Sequence, residues 1–159
     1  MGGQVRRDIL RGGATMTKRW YELAPIPVRA IVGGGLAYHG YPKIFTAEGH
    51  ASFLHIMKGM GVPFPELLSW VIGCLEFFGG LLLFSGTFVS LVALLIVIEM
   101  AANLITALIN GGFPPPLNPD QPLPGYEQTL LYLFGALALY IGGSGGFSVT
   151  RIFVPRQTV

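Results

Sequence analysis

The stretch LLSWVIGCLEFFGGLLLF, residues 67–84, holds a single ionisable carboxylate, Glu76, near its middle. A second stretch, FVSLVALLIVIEMAANLITALI, residues 88–109, does the same with Glu99. Moving a charged side chain into hydrocarbon is unfavourable by several kcal/mol, so such residues turn toward a bundle interior, a partner or a water-filled cavity. Two runs of this length, each able to cross a bilayer, decide the fold class. The carboxylates inside them are the first place to look for chemistry.

The whole chain agrees with a membrane reading. Hydrophobic residues make up 52% of its 159 residues and charged residues 11%, against about 25% charged in a soluble domain. Its mean hydropathy is +0.59. Two more runs, near 27–45 and 128–141, reach spanning length when the last is extended to include Tyr126 and the glycines at 142–145, a span needing about 20 residues. The first two runs occupy 66–84 and 87–109. Four spans leave no room for a separate soluble catalytic domain. The expected fold is an all-α integral membrane four-helix bundle, with a basic tail at 1–26, the membrane domain at 27–145 and a short tail at 146–159.

Basic residues set the orientation. Arg6, Arg7, Arg11, Lys18 and Arg19 precede the first span, Arg151 and Arg156 follow the last, and the segment between spans three and four has none. The positive-inside rule then places both termini in the cytoplasm, with Lys43 and Lys58 on the outer side as mild exceptions. The first apolar run begins too late for a cleaved signal peptide. The basic tail suits anionic lipid headgroups. A net charge of +2 without interleaved aromatics argues against nucleic acid. Cys74 is the only cysteine, which excludes an intrachain disulfide or a thiolate metal cluster.

Between the first two spans, AEGHASFLHIMKG spaces Phe53, Leu54, Met57 and Met60 as one apolar face, so a short amphipathic helix at the interface is expected. Gly61 ends it. Ser85-Gly86-Thr87 is a tight turn joining spans two and three into an antiparallel hairpin. Six prolines between 114 and 124 favour an extended, stiff connector, or alternatively a docking surface or lid at the outer face. Glycines at 33–35, 73, 79–80 and 135 let helix backbones approach closely, as in a compact bundle.

A rise of about 1.5 Å per residue puts Glu76 and Glu99 at a similar depth, roughly 15 Å in. Asn103 lies one turn beyond Glu99. His39 and Lys43 are four apart and share a face of span one, with Lys43 near the outer boundary. Glu127 opens span four, where its charge favours a helix N-terminus. Arg29 sits close enough to the inner boundary to snorkel. The polar residues therefore concentrate in the outer half. Three uses suit them: mutual satisfaction, with the glutamates partly protonated; a site for a small amphipathic molecule such as a quinone headgroup, served by a His39/Glu76 pair; or ion passage, which the bare inner half disfavours. Haem ligation lacks a second histidine within a span. His50, His55 and Glu48 form a weak alternative metal set. No nucleophile–base arrangement or phosphate loop is present, so stand-alone catalysis has little support.

Arg29 opening span one, His39-Gly40 followed by Lys43, Gly61-Val62-Pro63, and E-x-x-G-G-L-x-L from Glu76 to Leu83 together resemble the DoxX family. Gly86 and the closing Gly143, Gly145, Ser148 pattern fit as well, over roughly 27–153. The resemblance implies a four-helix bacterial inner-membrane protein. Some members are similar to the small subunit of thiosulfate:quinone oxidoreductase. It gives Arg29, His39, Lys43 and Glu76 the role of a polar core; Glu99, Asn103, Cys74 and the proline-rich loop fall outside the family pattern. Gly146-Phe147 and Val149-Thr150 depart from it. The expected function is a membrane subunit of a larger redox complex whose electrons travel in a partner, because this chain offers no cofactor ligands of its own. The competing expectations are a non-catalytic accessory subunit that stabilises a complex by helix packing and, last, a small-solute transporter.

Overall fold

A computed structural model describes residues 22–109 and 126–146, and the described residues form helices and turns without strands. Five helices follow in order: α1 Pro25–Phe45, α2 Ala47–Gly59, α3 Pro65–Ser85, α4 Val89–Ile109 and α5 Tyr126–Gly142. The basic tail, the proline-rich segment and Ser148 with the C-terminal tail lie outside the described residues.

Local chemistry sets the boundaries. Proline near the start of α1 donates no N–H where none can be used. Thr46 serves two helices: its N–H and hydroxyl both reach the Pro42 carbonyl at the end of α1, and its hydroxyl accepts from the Gly49 N–H to cap α2. After α2 the chain reverses through Gly61 at φ 67°, as its sequence position suggests. The α3–α4 turn closes through Gly86 at φ 79°, with Gly86 N–H bonded to Leu83 O and Thr87 N–H to Leu82 O. Phe64 and Phe88, just before α3 and α4, take φ of 49° and 48°. That left-handed backbone is unfavourable for residues with a Cβ by about 1–2 kcal/mol each.

Inside α3, residues Leu75–Gly79 wind as a π-helical turn between two α-helical halves. Such wide turns recur at functional positions, and this one carries Glu76.

α1 is the central helix, lying against α2, the length of α3 and α5, while α4 lies chiefly against α5. Glycine sets the α1–α3 crossing. A Cβ on Gly33 would come within 2.6 Å of Gly80 O, and one on Gly80 within 2.5 Å of Ala37 N. One on Gly40 would strike the Phe77 backbone. The core is a thin line of Val32, Leu36, Leu83, Ala93, Ile96, Ala136 and Leu139. Around it Ile31, Leu91, Ile98 and Ile141 are 58–77% exposed, a belt of apolar surface foreign to a water-soluble monomer. α3 and α4 are each long and apolar enough to cross a membrane, with mean hydropathies of 2.0 and 2.4.

Candidate functional site

The polar groups predicted from sequence separate into three places. The first joins α1, α2, α3 and α4. Lys43 Nζ straddles the Glu76 carboxylate, 2.6 Å from Oε1 and 2.5 Å from Oε2, with its hydrogen-bonding geometry directed at Oε1. Glu76 is nearly sealed, with 7% of its side chain exposed against 19% for Lys43. The same ammonium sits 4.1 Å above the Phe53 ring of α2, a second favourable contact for a cation. From α4, Glu99 comes close enough to interact with both Glu76 and Lys43. Its Oε2 is buried with no hydrogen-bond partner among the described residues. Lys43 thus pairs with Glu76, Glu99 lies within electrostatic reach of both, and the Glu99 Oε2 is left open.

The sequence makes this local geometry. Glycines at 40 and 80 draw α1 onto α3, and the π turn presents Glu76 on the contact. The long lysine stem lets Lys43 cross from α1 to meet it.

The second place corrects the expected His39/Glu76 pairing. His39 faces α5: its Nε2 lies 2.5 Å from the side-chain amide nitrogen of Gln128. An amide nitrogen donates, so His39 Nε2 is placed as the acceptor of this contact. Tyr38 and Tyr132 flank the ring edge-on. Residues four apart lie on one side of a helix, but Lys43 and His39 reach different neighbours because α1 is surrounded. Gln128 was missed by the sequence reading; an amide in the first turn of a span was the available signal.

Arg29 forms the third place, and it does not snorkel. It is 5% exposed, and its Nη1 donates to Ser144 O at 2.7 Å just beyond the end of α5, where a helix concentrates negative potential. Its Nε is buried without a partner among the described residues. Gly146 N–H bonds Glu22 O at 2.7 Å beside it, so this end of the bundle is tied shut by residues from both ends of the described chain.

Asn103 remains exposed and joins none of these groups. Cys74 is exposed on the side of α3. His50 has a structural position: its Nδ1 lies 2.9 Å from Lys43 O, the ring N–H donating, and the ring stacks on Trp70 at 4.1 Å. Among the described residues no three His, Cys, Asp or Glu side chains gather as a metal set.

No curated protein and no solved structure matches the chain. The family profile of DoxX matches residues 24–108, just over half of the sequence, and covers α1 to α4 nearly whole. The match contains Arg29, His39, Lys43, Glu76 and Glu99 and stops short of Gln128. With its apolar helices and buried charges, this chain is a membrane protein and belongs to the DoxX family.

Proposed function

We propose that the chain is a multi-pass subunit of a redox assembly in the bacterial inner membrane. In this reading the Lys43–Glu76–Glu99 cluster exchanges protons with a quinone headgroup or a similar small amphipathic molecule. The observation that carries it is the open Glu99 oxygen beside the buried Glu76–Lys43 ion pair. Two carboxyl groups around one ammonium can share or release a proton without a large change in the surrounding structure, which is what proton-coupled chemistry asks of a site. Electrons travel in a partner subunit. α1 and α5 complete a four-span bundle, with 1–26 and 146–159 as cytoplasmic tails, and Lys43 marks the outer end. α2 lies along the outer interface. The cluster, in place of the expected histidine–glutamate pair, supports the quinone reading.

The test is Glu76→Gln in the intact assembly. Quinone-coupled turnover should fall while the complex stays together, and unchanged turnover removes the role from Glu76. A second reading follows from the completeness of the Lys43–Glu76 pair, which needs no ligand: the chain is an accessory subunit that stabilises its partners. It predicts that deleting the chain destabilises partner subunits and that Glu76→Gln leaves turnover intact.

A further inference from the structure

The buried face of α4 runs through Val89, Val92, Ala93, Ile96 and Met100, stepping by three and four along one stripe. The next step of that stripe is Asn103, three beyond Met100, four beyond Glu99 and seven beyond Ile96. Periodicity places it inside. It is exposed, whereas Ile96 two turns below is fully covered. Among the described residues the cover of α4 is complete at Ile96 and Met100, partial at Leu104 and Ala107, and lost at Asn103, toward the end that holds Lys43. Beside this opening, one turn down from Asn103, lies the unpartnered, buried Oε2 of Glu99.

Asn103 stands six residues from the end of α4, about 9 Å by helical rise, on the more apolar of the two long helices. An amide left to hydrocarbon there is unfavourable, and a polar face inside a bundle is tolerated where it lines water. At the opposite end, among the described residues, buried Arg29 caps the Ser144 carbonyl, and its positive charge opposes the approach of protons or cations. The charged groups that act on Glu99 are Glu76 from α3 and Lys43 from α1.

We infer that the space at Asn103 is a water-filled mouth through which the Glu76–Glu99 pair exchanges protons with the aqueous phase on the Lys43 side of the membrane. The ligand is water or hydronium. In each exchange an O–H bond at the carboxyl breaks as one forms on the adjoining water, with no change of oxidation state. This deepens the proposed proton exchange and rests on it for the use of the proton, but it requires no quinone.

Cysteine accessibility tests the mouth in liposomes, in a Cys74→Ser background, with a membrane-impermeant maleimide. S52C, on the exposed surface of α2, reports the Lys43 side. N103C should react from that same side and at least about tenfold faster than I96C, whose position opens only by local unfolding. E99C should also react, and adding N103W should slow it by a similar factor. Labelling of N103C at the I96C rate, or only from the side opposite S52C, overturns the inference. So does E99C labelling that N103W leaves unchanged; if E99C does not fold, the N103C and I96C pair decides alone. Turnover is not read in this experiment, so it can fail while the Glu76→Gln test succeeds, and the reverse.

Discussion

Removing Lys43 should harm the fold more than removing the charge of Glu76, and the two changes should be strongly coupled. In Lys43→Met an unbranched apolar side chain of similar length remains, but the contact of the ammonium with Phe53 is lost and Glu76 and Glu99 are left together with no neighbouring cation. Breaking a buried ion pair from one side is destabilising by about 3–5 kcal/mol. The 19% exposure of Lys43 admits some screening and places the expectation near the lower figure, about 3 kcal/mol. Glu76→Gln keeps an acceptor for the ammonium and leaves Lys43 near Glu99, so a loss of about 1–2 kcal/mol is expected. The double variant K43M/E76Q should then fall short of the summed losses by about 1–2 kcal/mol. Reversible unfolding in mixed micelles titrated with SDS, followed by far-UV circular dichroism, gives all four corners of the cycle. Losses that add to within about 0.3 kcal/mol would refute the coupling. A Lys43→Met loss no larger than that of Glu76→Gln would refute the two-carboxyl arrangement.

Three further outcomes are expected. Gly80→Ala should lower stability by about 1–3 kcal/mol, because the new methyl meets backbone atoms of Gly33 and Ala37 that no side-chain rotation can move; wild-type unfolding in the same micelle assay would contradict the close crossing. Phe64→Gly should raise stability by up to about 1 kcal/mol through relief of the left-handed backbone, since the Phe64 side chain is 76% exposed and gives up little packing; a clear loss would show that the ring anchors the chain. Cys74 should resist a water-soluble maleimide in liposomes although it lies on the surface of α3, because that surface faces lipid; rapid labelling would argue against α3 as a span.

Much of this arrangement is legible in the sequence. Glu76 and Glu99 announced themselves as carboxylates in apolar runs, and helical rise gives them a similar depth; that they come within reach of one another follows only from the packing of α3 and α4. Gly61 and Gly86 marked real chain reversals because each is tied to backbone geometry within a few residues. The failures share a cause: they depend on which neighbour a helix meets. His39 and Lys43 share a side of α1, yet that side borders α5 at one residue and α3 at the other. Arg29 looked free to reach headgroups because its partner, the Ser144 carbonyl, is 115 residues away and is backbone. Asn103 follows the buried stripe of α4, but periodicity describes one helix and cannot say where its neighbours cease to cover it. The π turn at Leu75–Gly79 has no marker beyond one glycine at its end.

Lys43 also has a mechanical consequence. Its carbonyl accepts a hydrogen bond from the His50 ring, its ammonium rests on Phe53, and the same ammonium grips Glu76. One residue therefore fastens the short surface helix α2 to a carboxylate midway through the bundle. A protein or lipid headgroup that tilts α2 pulls on that fastening directly, with no chain of intermediates to absorb the displacement. The short helix α2 is in this sense a handle on the buried charge.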